Sequence, residues 1–233
     1  MSATFWSWVL AGGLAGYLAV VAPLLGRRSY ERLKSGLTPL SRSYALGIAE
    51  LWALAAVALL VVALSPSLDL ASAGVKPPDD PTLTYGLAVA LPVAMVPLVL
   101  FMRWLVRNGG KIPGSDAFSA MLPRTPGQRW LAGGLAVSAG ICEELVYRGL
   151  FIALGLALGL SPLAAAALAV AVFMLGHAYQ GRSGLLLSLV AGIAFTGLYL
   201  RTGSLIAPIV VHILVDIRSL VLMPQPEPQR AES

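Results

Sequence analysis

The chain has 233 residues and a formal net charge of +5; 58% of its residues are hydrophobic and 12% are charged. A soluble domain carries about a quarter charged residues, so the composition excludes an ordinary soluble protein. The mean hydropathy is +0.81, and apolar stretches of about 20 residues, enough to cross roughly 30 Å of hydrocarbon, recur along the chain. These features predict a polytopic integral membrane protein.

The apolar stretches predict an all-α helical bundle with seven transmembrane helices in one domain, residues 1–223. In chain order the predicted spans cover roughly residues 5–25, 45–65, 83–105, 129–154, 160–178, 184–201 and 204–223. The remaining tail, 224–233, is proline-rich and polar, and is predicted to be disordered.

The positive charges between the spans predict the orientation in the membrane. They cluster in two connections, one with Arg27, Arg28, Arg32, Lys34 and Arg42, the other with Arg103, Arg107, Lys111, Arg124 and Arg129. The positive-inside rule assigns both to the cytoplasm, and the proline-rich, mostly acidic connection 66–82 to the outside. The N-terminus is therefore expected outside and the C-terminus in the cytoplasm, in the plasma membrane. The basic clusters are expected to contact anionic lipid rather than nucleic acid.

Several ionisable side chains fall inside the predicted spans, where each costs about 2.5–3.5 kcal/mol near the bilayer centre. They are Glu143, Glu144 and Arg148 in the fourth span, His177 in the fifth, and His212 and Asp216 in the seventh. Glu50 lies near the start of the second span and is interpreted as interfacial. Phe173, one helical turn before His177, is interpreted as a packing residue.

Helical spacing indicates which of these groups act together. Glu144 and Arg148 are four residues apart and share a face, which predicts a structural ion pair. Glu143 is turned by about 100° from Glu144, so it lacks that partner. His212 and Asp216 also share a face. If the three spans meet, one polar cavity would contain Glu143, His177, His212 and Asp216.

Such a cavity is suited to hydrolysis. A carboxylate with two imidazoles can activate water, and the same groups can bind zinc; the spacing leaves both open. A haem protein with His177 and His212 as axial ligands is an alternative, but it leaves the glutamates and the arginine without a role. A proton-coupled transporter is a further alternative, without the inverted repeat that would support it.

Three patterns on separate spans resemble the motifs of a known family. They are Glu143-Glu144-x-x-x-Arg148, Phe173-x-x-x-His177 and His212-x-x-x-Asp216. The family is CPBP, which comprises the CAAX prenyl proteases and bacteriocin-processing enzymes and is also called the Abi family. Segment 122–125 (Leu-Pro-Arg-Thr) is similar to a stretch often seen before the first motif. The resemblance covers about residues 120–218.

The resemblance implies an intramembrane endopeptidase that cleaves a membrane-associated or prenylated CAAX-type peptide or protein. Glu143 and His177 would activate water, while His212 and Asp216 would stabilise the oxyanion or complete a metal site. The implied catalytic set is Glu143, Glu144, His177, His212 and Asp216, with Arg148 as the structural partner of Glu144. The implied zinc ligands, in a metalloprotease, are Glu143, His177, His212 and Asp216. A non-catalytic immunity or scaffold protein of the same fold is the main alternative.

Members of that family carry Asn or Asp at the position of Asp216. Asn can donate a hydrogen bond to an oxyanion, whereas an ionised Asp cannot. Asp216 is therefore either protonated in its apolar setting or a metal ligand, and the sequence slightly favours the second role.

Overall fold

The computed structural model describes residues 3–110, 112 and 119–223; the tail predicted to be disordered, 224–233, and Lys111 lie outside them. Within these ranges the fold is all-α and has no strands, as predicted. Apart from two short 3₁₀ turns, the described residues form seven helices: α1 (3–34), α2 (Leu40–Leu64), α3 (Pro81–Arg107), α4 (126–157), α5 (Pro162–Gly176), α6 (Gly181–Thr202) and α7 (206–221).

The outside of the bundle is apolar. Large side chains such as Val89 and Val93 on α3 and Leu163 on α5 are at least two-thirds exposed, which is the arrangement expected of a lipid-facing surface. Four helical segments are long and apolar enough to cross a membrane: Thr4–Lys34, Leu40–Leu64, Pro81–Arg107 and Ala178–Thr202. The prediction of a helical membrane bundle is confirmed.

Polar residues in the connections determine where three of the helices begin. The side chains of Asp80, Thr125 and Ser161 accept hydrogen bonds from backbone N–H groups in the first turns of α3, α4 and α5. Each is followed by a proline, whose missing N–H is not needed in the first turn. The starts of these helices are thus encoded locally, before any tertiary packing.

Helix α4 changes its winding at the first motif. It is α-helical over Pro126–Glu143, π-helical over Glu144–Phe151, and α-helical again over Ile152–Ala157. A π turn closes its hydrogen bonds one residue later than an α turn and therefore redirects the side chains, and such turns are frequent at functional sites.

Helix α4 packs against α2 and α7, and its approach to α7 depends on Gly140. A Cβ atom at this position would lie 2.4 Å from Ile213 Cγ1 and 3.0 Å from the Ile213 backbone nitrogen. The two backbones can therefore approach closely, as small residues allow between membrane helices. Glu143, about one turn further along α4, is consequently brought to the face of α7 that carries His212.

One end of the bundle is covered by the connection between α2 and α3. Its backbone hydrogen-bonds to the α6–α7 turn: Leu205 N–H donates to Gly74 O (3.0 Å), and Asp79 N–H donates to Thr202 O (2.7 Å). The Ser204 hydroxyl donates to Lys76 O at 2.6 Å. Protein atoms therefore close this end of the bundle.

Substituting Gly140 by Ala should force α4 and α7 apart. Overpacking of this kind costs about 1–3 kcal/mol, so we expect a lower thermal midpoint in detergent and a lower yield of folded protein. Gly133→Ala on the same helix is the matched control, because a Cβ there meets no atom within 4 Å. An equal thermal midpoint for the two variants would contradict the close approach of α4 to α7.

Candidate active site

His212 lies at the centre of a cluster of carboxylates. Its Nδ1 is 2.7 Å from Glu144 Oε1, while its Nε2 is 3.8 Å from Glu143 Oε2 and 3.7 Å from Asp216 Oδ2. The structure thus brings together four of the residues predicted from the motifs. Although consecutive along α4, Glu143 and Glu144 reach opposite nitrogens of the same imidazole.

The Glu144–Arg148 ion pair predicted from the four-residue spacing is present and completely buried, with Arg148 Nη1 2.9 Å from Glu144 Oε1. The remaining guanidinium nitrogens donate to Thr196 Oγ1 and to Gly192 O, both at 3.3 Å. The guanidinium also lies over the Phe173 ring, 4.4 Å from its centroid. Since a buried charge needs both a counter-charge and hydrogen bonds, these contacts explain how Arg148 is accommodated.

Aromatic rings fix the orientation of the His212 imidazole. Phe195 stacks on it at 4.7 Å between centroids, and Phe173 approaches edge-on at 6.2 Å. Phe173 also contacts the His177 ring at 4.6 Å. The interpretation of Phe173 as a mere packing residue was therefore incomplete, because it separates the two histidines and covers Arg148.

The contribution of α6 was missed by the sequence analysis. Phe195, Thr196 and Gly192 all contact Arg148 or His212, although none belongs to a motif. The sequence of α6 does contain a signal for this contribution. Small or hydroxyl residues recur every four positions along one buried face of the helix, namely Gly184, Ser188, Gly192 and Thr196. In an apolar span this spacing indicates a face that packs closely against a polar region.

His177 lies where α5 ends, half-buried, and its Nδ1 is 2.9 Å from Phe173 O. A carbonyl oxygen can only accept a hydrogen bond, so Nδ1 carries the proton and Nε2 keeps its lone pair when the ring is neutral. His177 is also within electrostatic range of Asp216. The histidine is thus held in the tautomer that a base or a metal ligand requires.

Glu50, which was interpreted as interfacial, is the eleventh residue of Leu40–Leu64, about 15 Å along the helix axis, and its side chain is exposed. Its carboxylate accepts a hydrogen bond from the Tyr17 hydroxyl at 2.5 Å. It is not among the ion pairs of His212, and its interfacial position stays a prediction.

The charges of the cluster are not balanced by protein groups alone. Glu143, Glu144 and Asp216 lie within 4 Å of the same imidazole, with the Arg148 guanidinium as their paired cation. Three ionised carboxylates in apolar surroundings would be very costly, so the cluster must retain protons. The Glu143 and Asp216 side chains keep 19% and 26% of their surface exposed, whereas Glu143 Oε2 is itself buried and has no hydrogen-bond partner among the described residues. A buried polar oxygen of this kind is usually satisfied by an ordered water molecule, so Glu143 is the carboxylate of the cluster best suited to hold one.

The donor set fits a metal only loosely. Within residues 3–110, 112 and 119–223, no three His, Cys, Asp or Glu side chains are grouped as metal ligands. Two donor atoms that each lie about 2.0–2.2 Å from a tetrahedral zinc ion are about 3.3–3.6 Å apart, and His212 Nε2 is 3.8 Å from Glu143 Oε2 and 3.7 Å from Asp216 Oδ2, slightly wider than that spacing. The ligand set Glu143, His177, His212 and Asp216 therefore stays a prediction.

Comparison with known families agrees with this geometry. Residues 125–218 match the family described as type II CAAX prenyl endopeptidase Rce1-like. Residues 125–218, called the Rce1-like region below, are thus similar to this family, and they make up 94 of the 233 residues. The match contains all three motifs and the helices α4 to α7 that form the cluster, and it confirms the resemblance to the CAAX proteases. No curated protein and no solved structure matches the chain.

Removing the Arg148 guanidinium should destabilise the Rce1-like region more than any change at Glu143. Arg148→Ala leaves the Glu144 carboxylate buried without its cation, a loss of about 3–5 kcal/mol. We expect a much lower yield and thermal midpoint than for Glu143→Gln, measured in the same detergent. Combining Arg148→Met with Glu144→Gln should recover part of the loss; equal stability of Arg148→Ala and wild type would contradict the structural ion pair.

Proposed function

We propose that the chain is an intramembrane endopeptidase that hydrolyses a peptide bond of a membrane-associated or prenylated CAAX-type peptide or protein. The observation that carries the proposal is the approach of His212 to Glu143, Glu144 and Asp216 within 4 Å, at a buried point of the bundle. The Rce1-like match over residues 125–218 supports a CAAX-type protease in general.

Glu143 is the proposed general base. One of its oxygens has no partner among the described residues, so it can bind a water molecule and accept its proton as the water oxygen attacks the scissile carbonyl. When the carbon–nitrogen bond breaks, the protonated Glu143 returns the proton to the leaving amine. His177, with its Nε2 lone pair free, shares the task of orienting the water.

His212 is proposed to stabilise the developing negative charge. Glu144 accepts the Nδ1 proton of His212 and holds the ring in place, so Glu144 acts as a positioning residue, and Arg148 fixes Glu144 in turn. Asp216 faces Nε2 and serves as its counter-charge. These groups are already oriented before the reaction begins, so they stabilise the developing charge without reorganising during the reaction.

The proposed location is the plasma membrane, with the N-terminus outside and the C-terminus in the cytoplasm. The basic residues on either side of the α1–α2 and α3–α4 connections support this orientation through the positive-inside rule. The proposed partners are the substrate peptide and the lipid bilayer, with no nucleic acid.

The alternatives account for less of the geometry. A haem with two axial histidines needs their Nε2 atoms free to face the iron from opposite sides, but Nε2 of His212 faces two carboxylates, and Phe173 contacts both rings. A non-catalytic scaffold would leave the unpaired Glu143 Oε2 and the partly exposed Asp216 carboxylate without a role.

Substitution of the proposed base should abolish cleavage while the fold is kept. We expect Glu143→Gln to lower kcat by about 100- to 10,000-fold, and His177→Ala and His212→Ala to be similarly impaired. The measurement is cleavage of farnesylated and unprenylated CAAX-type peptides in nanodiscs, with thermal midpoints recorded for each variant. Glu50→Gln is the matched control, because it neutralises an acid outside the ion pairs of His212 and should retain activity. Full activity of Glu143→Gln would refute the assignment.

The metal requirement is tested by elemental analysis of purified protein and by cleavage with and without a chelator. A bound zinc ion would supply a Lewis acid at Glu143, His177, His212 and Asp216. Because Glu143 is proposed to activate the water as a general base by itself, we expect cleavage to survive chelation. One zinc ion per chain, together with loss of activity on chelation, would instead assign these four residues as ligands.

A further inference from the structure

A break in the helical structure lies beside the proposed active site. Helix α5 has 15 residues, Pro162–Gly176, and is therefore about 22 Å long, short of the roughly 30 Å needed to cross the hydrocarbon. It ends at His177 and is followed by the 3₁₀ turn Ala178–Gln180. Irregular backbone at membrane depth is tolerated where it is covered by protein or lines a wet cavity.

Gly181 makes the sharp return from this turn into α6. Its φ of +73° and ψ of −167° belong to a region that side chains other than glycine rarely adopt. The turn is thereby fixed, and with it the direction of the two side chains that precede Gly181, Tyr179 and Gln180.

Tyr179 is held on several sides. Its ring stacks with His177 at 6.3 Å and meets Tyr30 of α1 edge-on at 5.6 Å. Gly26 of α1 packs on the same ring, since a Cβ there would lie 3.3 Å from Tyr179 Cδ1. A tyrosine outside the three motifs is therefore positioned by α1 and α5 beside His177, one of the two residues proposed to handle the attacking water.

The hydroxyl of Tyr179 has an available proton. Gln180 Nε2 donates to the Tyr179 oxygen at 3.0 Å, so the oxygen acts as acceptor there and its own O–H remains free to donate. A hydroxyl that accepts one hydrogen bond becomes a stronger donor in the next. Asp216 can donate only when it is protonated, so the Tyr179 hydroxyl would add a donor that does not depend on how the cluster around His212 distributes its protons.

We propose that Tyr179 donates a hydrogen bond to the carbonyl oxygen of the scissile peptide bond, with Gln180 and α1 holding it in position. This inference rests on the proposed hydrolase function. In the attack, the water oxygen bonds to the carbonyl carbon, its proton passes to Glu143, and the carbonyl electron pair moves to the oxygen. Tyr179 stabilises that oxyanion without giving up its proton, and the bond is strongest in the transition state.

The test is Tyr179→Phe, which keeps the ring and its contacts with His177, Tyr30 and Gly26 but removes the donor. Loss of one oxyanion donor lowers kcat about 100-fold, so we expect that decrease with KM nearly unchanged in the nanodisc peptide assay. Tyr199→Phe is the matched control, because the Tyr199 hydroxyl donates to Ser72 O at the covered end of the bundle, and its kcat should equal that of wild type.

A second pair of variants tests the positioning by α1 and stands even if Tyr179→Phe does not fold. Gly26→Ala presses on the Tyr179 ring, whereas Gly13→Ala, on the same helix, meets nothing within 4 Å. We expect Gly26→Ala to lower kcat and Gly13→Ala to leave it unchanged.

The outcomes separate the two proposals. The role of Tyr179 alone would be overturned if Tyr179→Phe kept the wild-type kcat while Glu143→Gln was inactive. If Tyr179→Phe does not fold, a wild-type kcat in Gly26→Ala, again with an inactive Glu143→Gln, would have the same meaning. No cleavage by wild type, or full activity of Glu143→Gln, would overturn the hydrolase function itself.

Discussion

A single carboxylate oxygen, Oε1 of Glu144, connects the helices of the site. It accepts hydrogen bonds from Arg148 on its own helix and from His212 on α7, and Arg148 in turn binds α6 through Gly192 and Thr196. Three helices therefore depend on one completely buried anion. Removing one partner of such a buried ion pair leaves an uncompensated charge, so charges next to the proposed base also hold the helices of the Rce1-like region together.

This arrangement separates structural charge from reactive charge. Glu144 and Arg148 are buried and neutralise each other, while Glu143 and Asp216 keep part of their surface accessible. The π-helical turn that begins at Glu144 lets neighbouring residues serve the two purposes, because it directs both carboxylates to one imidazole from different sides. The proposed hydrolysis would need this separation of the two kinds of charge. Water must reach the proposed base, Glu143, without reaching the Glu144–Arg148 ion pair that holds the helices together.

Much of the fold could be predicted from the sequence, because apolar stretches of membrane-crossing length and capping residues such as Asp80 and Thr125 are local signals. The pair of Glu144 with Arg148 was also predictable, since both lie on one helix. The contacts of Phe195 with His212 and of Thr196 with Arg148 could not be predicted. They depend on how α6 is rotated relative to α4, and the spacing of residues within one helix does not reveal that rotation.

The connection between α2 and α3 covers one end of the bundle, where Gly74 and Asp79 are hydrogen-bonded to the α6–α7 turn. In the proposed hydrolysis, substrate, water and products would therefore reach and leave His212 at the opposite end or through the gaps between helices that face lipid. An incoming chain, the water that attacks it and both departing fragments would have to share these routes.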